Sequence, residues 1–186
     1  MIPQRPRFHK LAVKEVRRET PDAVSIAFDI PAELAPTFAY VPGQYLTLKV
    51  PLNGEDLRRT YSIASGLDDG EWRVAVKRVD GGVFSAFANA HLRAGDLVEV
   101  MPPAGRFTLP PAQGPRVLAA FAAGAGITPI ASQIRTVLVR EPHARVFLFY
   151  GNRSAGSILF REAIEDLKDR FMDRFAVHNI LSRERQ

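Results

Sequence analysis

The chain changes its periodicity at residues 109–116, "LPPAQGPR", and that change limits what it can fold into more than any other feature. Before the break, short runs rich in β-branched and aromatic residues ("AVSIAFDI", "QYLTLKV", "WRVAVKRV", "DLVEV") are separated by turn signals at 41–43, 52–56, 67–71, 80–82 and 93–96. That spacing predicts a small antiparallel β-barrel. One run, "FSAFANAHL" at 84–92, has its apolar residues at helical spacing and predicts a short helix. After the break, continuous apolar runs alternate with amphipathic ones: "VLAAFAAG", "TPIASQIRTVLVR", "ARVFLFYG", "SILFREAIEDLKDRF" and "FAVHNILS". The first reads as a strand buried on both faces. The two helical stretches turn Ile127, Ile130, Ile134, Val137 and Leu138, and then Leu159, Phe160, Ala163, Ile164 and Leu167, toward the inside. A β-α-β-α-β series predicts a parallel sheet with right-handed crossovers. The expected architecture is a β-barrel domain over 1–112 followed by a parallel α/β domain over 113–186. Open sheets of that kind hold about five or six strands. The second domain is therefore expected to be partial, with an open strand edge able to pair with another copy of the chain.

Composition narrows the function classes. There is no cysteine, which removes disulfides, thiolate metal sites and a cysteine nucleophile from this chain and agrees with a cytoplasmic setting. The opening "MIPQRPRFHK" lacks the apolar run of a secretory signal, and no stretch approaches the ~20 apolar residues of a membrane span, so no membrane association is expected. The net charge of +5 comes from arginines scattered among carboxylates, without a polybasic run or interleaved aromatics. An anionic small molecule is the expected ligand, and nucleic acid is not. His9, His91, His143 and His178 lack metal-ligand spacing, so no metal site is expected.

Four short stretches carry chemistry. In "AAGAGITPI", 122–130, Gly124 and Gly126 allow close approach to the backbone and Pro129 suits the first turn of a helix, whose free N–H groups attract phosphate. Pro129 stands where a third glycine of the dinucleotide fingerprint would be, so an ordinary strand-to-helix turn remains the alternative. In "ILSRERQ", 180–186, the end of a parallel strand offers the Ser182 hydroxyl and the Arg183 guanidinium to a 2′-phosphate, with the Glu184 carboxylate one residue further on. A solvated charged tail is the plain alternative. Arg153, after the second strand, can add to phosphate binding. In "RRTYSIAS", 58–65, strand geometry sends Arg59 and Tyr61 to one side and Thr60 and Ser62 to the other. An arginine holding phosphate, a phenol packed on a flat heterocycle and a small hydroxyl beside it would suit a flavin. In "VKRVDGGVFS", 76–85, Gly81 and Gly82 leave N–H groups unshielded ahead of a short helix, with Ser85 in its first turn. Taken singly, the glycines read as a hairpin turn and the Arg–Tyr pair as a surface cross-strand contact.

Taken together, "RTYS", "GVFS", "GAGITP" and "LSRE" match, in order and spacing, the flavin, pyrophosphate, nicotinamide and 2′-phosphate motifs of the ferredoxin–NADP reductase superfamily, which the chain resembles over nearly its whole length. "PGQYLTL", "FYGNRS" and "LFREAIEDLKDRF" narrow the resemblance to reductases that pass electrons from NADPH through FAD to a C-terminal [2Fe–2S] domain and then to a di-iron oxygenase, as in aerobic phenylacetate degradation. The resemblance implies that Arg59 binds the flavin pyrophosphate with Thr60 beside it. It implies that Tyr61 stacks on the isoalloxazine and that Ser62 lies near N5. Val76 and Lys77 would lie along the flavin edge, and Gly82, Val83, Phe84 and Ser85 would cover the pyrophosphate. Gly124, Gly126 and Thr128 would meet NADP, with Ser62 and Thr128 nearest the chemistry. Arg153 would join them at the phosphates, and Ser182 and Arg183 would select NADPH over NADH. FMN is the alternative to FAD. The family's later strands, its Cys-Gly-Pro motif and its cluster-bearing cysteines are absent from this sequence, so the chain reads as the N-terminal piece of a longer reductase, and a [2Fe–2S] centre is expected only in a further C-terminal domain. The implied function is a flavoprotein reductase serving an oxygenase or a ferredoxin-type acceptor. The alternative is a flavin-binding electron-transfer module without dehydrogenase activity.

Overall fold

A computed structural model describes residues 7–52 and 54–183. The first half is one antiparallel sheet of six strands: β1 His9–Thr20, β2 Ala23–Asp29, β3 Tyr45–Leu52, β4 Glu55–Ser62, β5 Trp72–Lys77 and β6 Leu97–Ala104. Their order is β4-β3-β6-β1-β2-β5. The two outer strands meet where Ile63, just past β4, bridges Val74 of β5, so the sheet closes into the expected barrel. Alternation fills its inside with Leu46, Leu48 and Val50 from β3, Ile26 and Phe28 from β2, and Val98 and Val100 from β6. Each is worth about 1.5–3 kcal/mol once removed from water. The helix α1, Val83–Ala90, turns Phe84 and Ala88 into the same cluster.

β1 is the strand that alternation alone does not reveal, because its charged residues fall out of phase. Its pairing with β2 shifts register between Val13 and Glu15 and again between Arg18 and Thr20, and each irregularity resets which face a residue takes. One product is a buried arginine. Arg73 of β5 donates to Ser25 Oγ at 2.9 Å, to both Glu71 oxygens at 2.7 and 2.9 Å, and to the Glu15 carboxylate. The Arg73 hydrogen bond holds the Glu15 carboxyl below its ordinary value.

The second half is a parallel sheet of β7 Val117–Ala123, β8 Arg145–Asn152 and β9 Phe175–Leu181, in that order, connected through α2 Ile127–Arg140 and α3 Arg161–Arg170. Val146, Leu148 and Tyr150 of β8 pack with Ile127, Ile134, Leu138 and Ile164. Right-handed crossovers that step twice in the same direction put both helices on one face. The other face stays open: Phe121, Phe149 and His178 stack at 5.0 Å intervals across it, with Phe121 70% exposed. The expectation that "VLAAFAAG" is buried on both faces is thus corrected, since β7 is covered on one face and pairs with β8 alone.

A second correction concerns α3. The spacing starts this helix near Ile158, but it starts at Arg161. Phe160 stands at its N-cap with a left-handed φ of 57°, after a 3-10 turn at Ala155–Ser157. Leu159 and Phe160 are still buried, because the connecting segment, rather than the helix, carries them inward. No helix among the described residues is long and apolar enough to cross a membrane.

Candidate functional site

β4 brings the first set of residues together. Its register pairs Leu46 with Tyr61 and Leu48 with Arg59, so Arg59 and Tyr61 share the barrel's inner face at its rim, while Thr60 and Ser62 lie on the other face opposite Thr47 and Tyr45. Tyr61 is half-buried, with its ring 5.6 Å from that of Phe84 and tilted by 35°. Burial pushes its hydroxyl up to about 12 against the opposing pull of Arg59, so the phenol is neutral at physiological pH. Arg59 is exposed, donates to the Arg58 carbonyl at 2.7 Å and makes no ion pair among the described residues, leaving its charge for an incoming anion.

The head of α1 makes the second element. Gly81 turns the chain with φ 71°, and Gly82 closes the turn by donating to the Val79 carbonyl at 2.9 Å. A Cβ on Gly82 would lie 2.6 Å from Ser85 Oγ and 3.0 Å from Val79 O, so no side chain fits there. Ser85 braces the loop from inside: it accepts from the Val79 N–H at 3.1 Å and donates to the Gly82 carbonyl at 3.0 Å. Val83, Phe84 and Ser85 form the first helical turn, whose N–H groups have no acceptor within the helix. Asn89 anchors the helix from its far end, donating to the Val76 and Ser85 carbonyls and accepting from Arg18 at 3.1 Å. Val76 is itself fully buried in the barrel, so of the two edge residues expected beside a flavin only Lys77 offers a side chain; it pairs with Asp22 at 3.4 Å.

From there a cleft of about 780 Å³ runs between the barrel's 77–80 segment and the C-terminal ends of β7, β8 and β9. Gly124, Arg153 and Ser182 line it. Gly124 adopts φ 50°, which a side chain would strain, and its carbonyl accepts from Tyr150 Oη at 3.0 Å. Gly126 has φ −63° and open space around it, so any need for glycine there comes from outside the chain. Thr128 is turned inward, its hydroxyl donating to the Ala125 carbonyl at 2.8 Å. Pairing of β8 and β9 continues past both strands: Ser182 N–H donates to Asn152 O at 3.0 Å and Arg183 N–H to Arg153 O at 2.9 Å. Arg153 and Arg183 therefore end on neighbouring chain positions, both exposed. Glu184 lies outside the described residues.

Asn152 is a site residue that sequence reasoning missed. It lines the cleft, is 7% exposed, and its amide oxygen and nitrogen make no hydrogen bond of ordinary length among the described residues, since the nearby Tyr150 hydroxyl donates to Gly124 instead. Its signal was a polar residue in phase with the buried series Val146, Leu148, Tyr150 and at its end. A buried orphan amide costs about 1–3 kcal/mol, which a cleft can tolerate when a polar ligand supplies the partner. The glycine cradle at α1, the aromatic face of Tyr61, the uncommitted Arg59 and this amide all fit a flavin and a nicotinamide dinucleotide laid across the boundary of the two halves.

Comparison with known proteins agrees. Residues 10–109 match the oxidoreductase FAD-binding domain family and residues 121–186 the oxidoreductase NAD-binding domain family. One of the subunits of the 1,2-phenylacetyl-CoA epoxidase of Escherichia coli K12 is 46% identical over 95% of this chain and 50% of its own length. The ferredoxin reductase component of 3-ketosteroid-9-alpha-monooxygenase from Rhodococcus rhodochrous is 37% identical over the same shares. The chain thus spans about half the length of the curated relatives it matches. Among solved structures, the Amycolatopsis cytochrome P450 reductase GcoB superposes with a TM-score of 0.82 at 30% identity, over 98% of this chain and 54% of that one. The FAD/NAD-binding domain of nitric oxide dioxygenase from Vibrio cholerae gives 0.82 at 25% identity, over 98% and 77%.

Proposed function

The chain belongs to the FAD- and NAD-binding oxidoreductases related to ferredoxin–NADP reductase, and from that membership we propose that it takes electrons from NADPH and passes them through FAD toward an iron–sulfur domain and an oxygenase, in phenylacetyl-CoA oxidation in the cytoplasm. The observation that carries the reading is one cleft shared by the two halves, lined by Lys77, Arg78, Val79 and Asp80 on the approach to α1 and by Ala123, Gly124 and Ala125 on the approach to α2, with β5 packed against the Gly124–Gly126 turn. Bound FAD supplies the chemistry, accepting a hydride and releasing electrons singly. The chain's residues supply its placement. The first turn of α1 and Arg59 meet the pyrophosphate, Tyr61 packs on the ring system, and Ser62 offers a hydroxyl at its edge. Gly124 and Gly126 let the second dinucleotide close on the backbone. Thr128 shapes that turn from within, since its hydroxyl is already committed to Ala125. Arg153, Ser182 and Arg183 face the adenosine end, where their charge and hydroxyl favour the 2′-phosphate of NADPH over the diol of NADH.

Anaerobic titration tests this directly. With FAD bound, NADPH should bleach the flavin band near ~450 nm, and NADH should do so more weakly. The second reading, a flavin module without dehydrogenase activity, is favoured by one feature: among the described residues the sheet bearing the cleft has three strands and an uncovered face. A yellow protein that ignores NADPH would decide for it, and a chain that takes up no flavin would exclude both.

A further inference from the structure

Ser62 and Thr128, the two residues expected nearest the chemistry, sit in different halves of the chain. Something must fix one against the other. The connection runs through the segment after β4. Ser65 and Gly66 leave the barrel there, and α2 receives them. Ser132, a serine with no exposure, lies on the helix face it shares with Thr128 and Thr136, across from the Ile127, Ile130 and Ile134 that pack on the parallel sheet, and donates its hydroxyl to the Ser65 carbonyl at 2.6 Å. One turn on, Thr136 Oγ1 accepts the Leu67 N–H at 3.1 Å and donates to the Ser132 carbonyl at 2.9 Å. Ser65 is tied on its barrel side as well: its Oγ accepts the Arg73 N–H at 3.1 Å, and its carbonyl also accepts Tyr40 Oη at 3.0 Å. Gly66 leaves no slack, since a Cβ there would lie 2.8 Å from Arg135 Cβ. At the rim, Arg135 meets Asp69 at 2.8 Å and Arg140 meets Asp68 at 2.8 Å. These outer pairs are partly exposed and screened, so the buried hydroxyls carry more of the constraint.

The distances along the chain are short. Ser132 follows Thr128 by one helical turn, about 6 Å of axis. Ser65 follows Ser62 by three residues, at most ~10 Å of chain. The Ser132–Ser65 hydrogen bond is thus a direct mechanical link between the strand that would hold the flavin ring and the turn that would hold the nicotinamide.

We propose that Ser132, seconded by Thr136, is a positioning residue that locks the head of α2 to the strand carrying Ser62 and so fixes the angle at which the two cofactor rings meet. The alignment half of this proposal rests on the reductase reading; the mechanical half does not. The test uses the full chain with FAD. The variants are Ser132→Ala combined with Thr136→Val, and a rescue in which Thr136→Ser replaces Thr136→Val. Trp72, the chain's one tryptophan, reports the barrel by fluorescence, and far-UV circular dichroism reports chiefly α2 and α3. In the wild type both signals should melt together. In the double variant the helices should melt several degrees before Trp72, and the rescue should bring the curves back toward each other. At saturating NADPH the flavin reduction rate should fall on the order of tenfold, while the NADPH concentration for half-saturation stays within about twofold, because no contact to the dinucleotide is removed. Coincident melting curves in the double variant, or a wild type that already melts in two steps, would overturn the lock. A rate loss matched by an equal loss of NADPH affinity would overturn the alignment role. A wild type that is not reduced by NADPH would remove the reductase reading and the alignment role with it, and the melting curves would still judge the lock.

Discussion

Tyr61 and Arg59 show what a single side chain contributes here. The Tyr61 ring already leans on Phe84, so a flavin ring would complete an aromatic stack. Tyr61→Ala should weaken FAD by roughly 2 kcal/mol, about thirtyfold, read as flavin fluorescence released on dilution; unchanged retention would rule out stacking. Arg183→Ala should cost NADPH a similar factor, that of a charge-assisted hydrogen bond worth about 1.5–3 kcal/mol, and leave NADH nearly unchanged in competition binding. Glu15 gives a pH prediction with a defined sign. Arg73 lowers its carboxyl below the ordinary 4.5, so the folded state binds its proton less readily than the unfolded chain. The stabilisation is complete above about 4.5 and is lost as the pH falls through the lower folded value. Denaturant melts of Glu15→Gln should therefore show a shallower loss of stability below pH ~4.5 than the wild type. At this scale the motif residues were legible because several rare combinations occur in a fixed order. Asn152 and Ser132 were not. A polar residue at the end of a strand's apolar phase, or on the polar side of an amphipathic helix, shows its purpose only once the fold reveals what it faces.

Among the elements, the turns decide more than the strands. Gly82 heads α1 with no room for a Cβ, so Gly82→Ala should open the 79–85 loop and reduce FAD uptake while the barrel still folds, giving an unchanged Trp72 emission with a weaker flavin signal. Gly43 is stricter. At φ 99°, with a would-be Cβ 1.9 Å from Phe107 O, Gly43→Ala should cost more than ~3 kcal/mol, and its denaturation midpoint should drop accordingly. The short hairpin-like strands and α1 were legible from period and turn residues. β1 was not, because its register shifts scramble the alternation a strand is recognised by. The start of α3 was misplaced for a related reason. Buried Leu159 and Phe160 continue a helical apolar pattern, and nothing in their chemistry announces the left-handed φ of Phe160.

At the level of the whole molecule the two halves differ in how completely they bury themselves. The barrel is closed, whereas the parallel sheet leaves one face uncovered, with Val117 66% and Phe121 70% exposed on β7 and Ile180 57% exposed on β9. A patch of this kind beside an unpaired edge favours association with a second copy. The apparent mass of this chain in sedimentation should rise with concentration, and Phe121→Lys should suppress the rise without changing flavin content. The apolar run of β7 could not reveal this, because a run reports what a strand is able to bury and not which neighbours are there to bury it. The closing bridge of the barrel has a consequence in time as well. Ile63 meets Val74 and the last barrel strand ends at Ala104, so every barrel partner has been synthesised before the first residue of β7 is added. On the ribosome the flavin half can finish its hydrogen bonding while the nicotinamide half is still being made, and domains do tend to fold in that N-to-C order. A nascent chain arrested within α2 should then already take up flavin.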